Sequence, residues 1–128
     1  MTPATSLRVA VTTPLPPART GIADYAWALA PAMTRAGADI EFFTTEPEAV
    51  AREIRSTFPV TDLRSLPREA SRFDIVLHHL GNDARFHGEI LRGLRDAPGV
   101  VLLHEIGLHQ LVAGATIART DEIGYREL

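Results

Sequence analysis

The sequence predicts a doubly wound, parallel α/β sheet of the Rossmann type. Three observations predict it. Short apolar runs recur at residues 7–13, 39–44, 73–79 and 100–103, with the length and the Val, Ile, Leu and Phe content of buried strands. Stretches with apolar residues at helical spacing separate them, and that alternation is the signature of βαβ units. Proline, glycine or an Asn-Asp pair punctuates the junctions. A chain of 128 residues makes one domain, able to bury a core yet at the small end for this architecture.

Each element has its own warrant. Residues 7–13 are the first strand. Pro14, Pro16 and Pro17 then forbid regular structure, so 14–20 is a stiff loop. Thr20 is a good N-cap for a helix over 21–36, with Asp24 near its positive end. Ile22, Tyr25, Ala26, Leu29, Ala32 and Met33 recur at helical spacing, Trp27 belongs in the packing, and Gly37 ends the helix at C′. Pro31 inside it predicts a kink or a local break. Residues 39–44 are the second strand. Pro47 opens a helix over 47–57 with Val50, Ile54 and Phe58 on one face. Residues 60–63 form a short edge strand, and 66–71 a turn or one helical turn.

Residues 73–79 are the next buried strand. Asn82-Asp83 opens a helix over 84–96 with Phe86, Ile90, Leu91 and Leu94 inward. Pro98-Gly99 breaks the chain, and the unbroken apolar run 100–103 reads as a central strand. A last helix covers about 108–118, followed by a polar, patternless tail over 119–128. Right-handed crossovers give the strand order 3-2-1-4-5. The order reverses between the first strand and strand 73–79. The loops leaving those two strands, 14–21 and 79–87, therefore share a crevice, with 104–109 beside it.

Composition removes several function classes. Hydrophobic content of 45% and charged content of 23% are ordinary for a globular protein, and a net charge of −3 disfavours nucleic acid as a partner. No cysteine is present, so disulfide, thiolate and thiolate-metal chemistry are excluded. All thirteen basic residues are arginine, so there is no Walker-type lysine and no Schiff base. Residues 1–6 are too short for a signal peptide, and no run approaches a membrane span. The expected compartment is the cytoplasm.

Pro14 to Tyr25 is the stretch around which the rest is organised: strand, rigid loop, glycine, helix N-terminus. In an open α/β sheet, phosphate and sugar ligands bind at such a place. The run Pro16-Pro-x-x-Thr20-Gly-Ile-Ala-Asp-Tyr25 resembles the start of family 4 glycosyltransferases of the GT-B fold. A second likeness lies in His79-Leu-Gly-Asn82, Phe86-His87 and Pro98 through His104-Glu105, where Glu105 stands in place of the family's aspartate. The resemblance spans residues 7 to about 111.

That likeness implies the N-terminal, acceptor-side half of a retaining glycosyltransferase. Such an enzyme needs no metal and no cofactor, and its nucleotide-sugar donor is a substrate. The second domain of the family holds the nucleotide. The 128 residues are then expected to be a fragment of a longer enzyme, inactive alone. The acceptor is expected to be a sugar, a lipid-linked group or a small molecule. An edge left open at strand 100–103 would pair two copies of the chain.

The candidate residues carry two readings each. Gly21 is either a steric convenience at a helix start or the opening that lets a diphosphate reach backbone N–H groups. Thr20 and Arg19 go with it as donor-diphosphate residues; Arg19 is otherwise a solvated loop charge. Asp24 either steadies the helix or meets ligand. Tyr25, His79, Asn82, His87 and Glu105 line the acceptor cleft in the likeness. As structural residues, one of His78 and His79 faces inward and the other outward, while Gly81-Asn82 turns the chain and caps a helix. His104 is the catalytic candidate, facing the transferred sugar in the resembled family. His104 and His109 sit five residues apart, about 140° around a helix, so they do not form a zinc-protease pair.

A non-catalytic α/β module that binds a sugar or a nucleotide is the alternative. A receiver domain fails, because the first loop lacks an acidic pair and the chain lacks lysine. A dinucleotide-binding domain fails for want of Gly-x-Gly-x-x-Gly after the first strand.

Overall fold

The structure, a computed structural model, describes residues 6–115. The expectations for residues 1–5, for the end of the last helix (116–118) and for the tail (119–128) lie outside the described residues. Five strands form one parallel sheet: β1 (Leu7–Thr12), β2 (Ala38–Thr44), β3 (Val60–Asp62), β4 (Ile75–Leu80) and β5 (Val100–Leu103). Their order is β3-β2-β1-β4-β5, as the crossover rule requires. The helices are α1 (Gly21–Arg35), α2 (Arg52–Thr57), α3 (Leu66–Glu69), α4 (Ala84–Gly93) and α5 (His109–Ala115), with short 3-10 turns at Pro47–Ala49, Leu63–Ser65 and Ala70–Arg72.

Strand alternation sends side chains to two cores. Val9, Val11, Ile40 and Phe42 meet Ala30 of α1, Ile54 of α2 and the half-buried Trp27. Ala10, Phe43, Val76 and Leu80 meet Leu63, Leu66, Ile90 and Leu111 on the other face. Phe42 and Phe43 are neighbours in sequence, point to opposite faces, and are both buried. That is why β2 reads as a continuous apolar run. Full burial of each such ring stabilises the fold by about 1.5–3 kcal/mol.

α1 is capped as expected. The Thr20 hydroxyl accepts from Ile22 N at 3.3 Å, and Gly37 takes φ 105° just past the C-cap Ala36. α1 is one segment through Pro31, which is exposed. Its inward face is Ala23, Ala26 and Ala30, small residues that let the helix approach the sheet. Tyr25, expected on that face, is 46% exposed.

Four further expectations are corrected. The helix over 47–57 is broken, because Val50 and Ala51 are extended (ψ 143° and 135°) between the Pro47 turn and α2. Val50 is buried in the core and Ala51 N donates to Pro16 O at 2.9 Å. Burying Val50 is worth about 2 kcal/mol, more than the roughly 1 kcal/mol of a forgone helical hydrogen bond. In α4 Ile90, Leu91 and Leu94 face inward as expected, but His87 is buried beside them in place of Phe86, which is half-buried outside both cores with the Arg85 guanidinium 5.4 Å from its ring centre. His78 and His79 are both buried, since helices cover both faces of β4 there. The central-strand reading of the run at β5 is overturned, while the strand order that put it at the end of the sheet holds: Val100 is 54% and Leu103 51% exposed, with β4 its one neighbour among the described residues. Hydrophobicity alone did not distinguish a central strand from this edge.

Candidate functional site

The chain order reverses between β1 and β4, and a crevice of about 380 Å³ opens at the C-terminal ends of the strands there. It is lined by Thr20, Gly21 and Ile22 from the start of α1, by Asn82, Asp83 and His87 from the β4 exit, and by His104, Glu105 and Gln110 beyond β5. The three loops that topology assigned to one site do meet.

On the α1 side, the Gly21 amide has no acceptor among the described residues. A Cβ added at Gly21 would meet nothing within 4 Å, so the absent side chain leaves open space rather than relieving a clash. The end of a 15-residue helix therefore presents a free donor and the positive end of its dipole to the crevice.

On the β4 and β5 side, three histidines are linked. The His87 Nδ1–H donates to the His79 carbonyl at 3.0 Å. Its Nε2 then carries a lone pair, is buried, and has no partner among the described residues. His79 Nδ1 lies 2.9 Å from His104 Nε2, with the two rings stacked at 22°. The Tyr25 ring sits edge-on to His104 at 5.1 Å and to His79 at 6.2 Å. Burial, with the neighbouring His104 and His87 adding to it, pushes the His79 pKa down to about 4. Burial also lowers those of His87 and His104. The cluster is neutral near pH 7 and offers hydrogen-bonding nitrogens, not positive charge.

Asn82 and Asp83 have structural duties. The Asn82 side-chain Oδ1 accepts from Leu111 N at 3.1 Å, so Asn82 ties the β4 exit to α5 rather than capping α4. Asp83 caps α4 by accepting from Arg85 N at 2.9 Å, and the Arg85 guanidinium beside it holds its carboxyl below the usual range. Glu105 makes no ion pair among the described residues and is exposed at the crevice mouth. A carboxylate there suits hydroxyl groups as donors.

Of the residues singled out by sequence, Thr20, Gly21, Asn82, His87, His104 and Glu105 come together in the crevice. His79 and Tyr25 pack against His104 just beside it. Arg19 and Asp24 are exposed and outside the lining, which contains no arginine. Ile22 and Asp83 also line the crevice, from stretches that the sequence placed there without singling these two out; Gln110 was missed. Gln110 lies one position beyond the 104–109 loop, in the first turn of α5, so extending that loop into the helix would have found it. Among the described residues, no group of three His, Asp or Glu side chains is arranged to hold a metal ion, and no helix is long and apolar enough to cross a membrane. No family model, curated protein or solved structure matches this chain.

Proposed function

We propose that this domain is the acceptor-side half of a retaining glycosyltransferase that takes a nucleotide sugar as donor. One observation carries the reading. The open N-terminus of α1 at Gly21 and the His104 ring, from elements on either side of the strand-order reversal, line a single crevice. A leaving diphosphate needs fixed N–H donors and a helix dipole. The sugar it leaves needs neutral hydrogen-bonding groups around its hydroxyls and its reacting carbon. The two sides of the crevice are divided in that way. The resemblance at residues 16–25 and 79–105 supports the same assignment, with Gly21 and Thr20 toward the diphosphate and His104 toward the sugar.

In this reading Gly21 N–H and the dipole meet the departing diphosphate, and Glu105 and Gln110 orient sugar hydroxyls. His104 strengthens its hydrogen bond as charge develops at the sugar carbon. The nucleotide is held by a second domain, and the acceptor enters along the β1–α1 loop. Arg19 reaches the phosphates only by moving from its present exposed position. The alternative, a sugar- or nucleotide-binding module with no catalysis, shares this crevice and differs only in lacking turnover.

A thermal-shift screen of the full-length protein against UDP-, GDP- and ADP-sugars tests the reading. Ligand held at about a hundred times its Kd stabilises by about 2.7 kcal/mol, a readily measured rise in Tm. A rise with one nucleotide class, accompanied by sugar release or transfer, supports the enzyme. A rise without any turnover supports the binding module. No rise with any nucleotide sugar removes the enzyme and the nucleotide-binding form of the alternative.

A further inference from the structure

The crevice reading uses His104 but leaves the ring behind it unexplained. His79 is 1% exposed, too enclosed to meet a ligand, yet its Nδ1 lies within 2.9 Å of His104 Nε2. One proton must lie between these two nitrogens, and either ring can supply it. Two arrangements satisfy the contact. In one, His104 Nε2–H donates to His79 Nδ1, and both neutral rings carry their proton on Nε2. In the other, His79 Nδ1–H donates, and both rings carry their proton on Nδ1. Neutral imidazole side chains in water favour the Nε2–H form. The first arrangement keeps both rings in that form, and the second forces both out of it.

We propose that His79 is a positioning residue: it accepts the Nε2 proton of His104 and so presents the Nδ1 lone pair of His104 to a hydroxyl donor in the crevice. The surroundings hold this geometry from three sides. The His79 carbonyl is fixed by the His87 Nδ1–H at 3.0 Å. The Tyr25 ring packs edge-on against both imidazoles. The His104 backbone is pinned to the sheet, since its N–H donates to Leu80 O at 2.9 Å. The Nε2 of His104 is therefore committed within the protein, and Nδ1 is the nitrogen left for a ligand. A group that meets it must bring a proton, as a sugar hydroxyl does and a phosphate oxygen does not. That places the hydroxyl-bearing part of a ligand on the β5 side and its anionic part at Gly21.

The choice of a sugar as the hydroxyl donor rests on the function proposed above; the assignment of the two nitrogens does not. Long-range 1H–15N spectra of the 128-residue chain, labelled at histidine, read the assignment without any ligand. The expected result is a single His104 tautomer protonated at Nε2, with a 15N–15N coupling across the hydrogen bond to His79 Nδ1. In His79→Phe, which keeps an aromatic ring against Tyr25, the coupling disappears and the His104 nitrogens shift toward the averaged values of exchanging tautomers. Native His104 protonated at Nδ1, or averaged between tautomers in the native chain, overturns the proposal. If His79→Phe does not fold, the coupling in the native chain decides alone. Failure of the glycosyltransferase reading would leave these spectra unchanged.

Discussion

Acid should destabilise this fold well above the range where carboxylates titrate, and His79 should be the main cause. Its folded pKa of about 4 lies below the 6.5 of an ordinary imidazole, because burial disfavours the charged ring. Between those values the unfolded chain binds a proton that the folded chain excludes. Stability therefore rises with pH across the window, is complete above 6.5, and is lost as pH falls toward 4. At about 1.4 kcal/mol per pH unit, His79 alone accounts for about 3 kcal/mol. His78 and His87 are shifted the same way by burial and add to it. For a chain of this size that loss lowers Tm by about 10 °C. The exposed pairs at Asp62 and Asp83 lose their stabilisation only below 3.8, outside the window. Urea denaturation at steps between about pH 7.5 and about pH 4.5 measures the slope, and His79→Phe should flatten most of it. A native stability constant across that range would mean that His79 is solvated or charged in the folded state, and the reasoning about the cluster would fail.

Three further outcomes follow from the same geometry. Gly99→Ala should destabilise the fold by at least about 2 kcal/mol in chemical denaturation, because a Cβ there would collide with the Val76 carbonyl oxygen, which is backbone; a change near zero would mean that the 98–99 turn does not lie against β4. Thr12→Val should cost about 1–3 kcal/mol, since His78 Nε2–H donates to Ala97 O at 2.7 Å and its Nδ1 accepts from the Thr12 hydroxyl at 2.8 Å; unaltered denaturation would show that contact to be idle. In the two-domain glycosyltransferase proposed above, His104→Ala should lower turnover by about a hundredfold with little change in donor affinity; near-normal turnover in a folded variant would make His104 structural.

The sheet was legible because its signals are local. Proline and glycine mark the strand ends, and a switch from continuous apolar runs to helical spacing marks each crossover. Strand order then needed only the handedness of the connections. The crevice was legible as three loops, because topology alone brings the exits of β1, β4 and β5 together. What sequence did not give were the long-range pairings. Nothing near Val50 announces that Pro16 O will capture the next amide and break a helix. Tyr25 fits the inward spacing of α1 but turns to the histidines, which lie more than fifty residues away. The run at Val100–Leu103 has the composition of a central strand, and only its place after β4 makes it an edge. His79 and His104 are each unremarkable in sequence, and their 2.9 Å contact arises from the β4–β5 register that sets His79 beside Leu102.

The claim that the start of α1 receives a diphosphate is tested most directly by titrating the chain with inorganic pyrophosphate and following backbone amide shifts. Perturbations should centre on Gly21, Ile22 and Ala23, on the α1 side of the crevice. Gly21→Val should abolish them while leaving denaturation unaltered, because nothing in the protein lies within 4 Å of the added Cβ. Shifts centred elsewhere, or equal shifts in Gly21→Val, would contradict the claim.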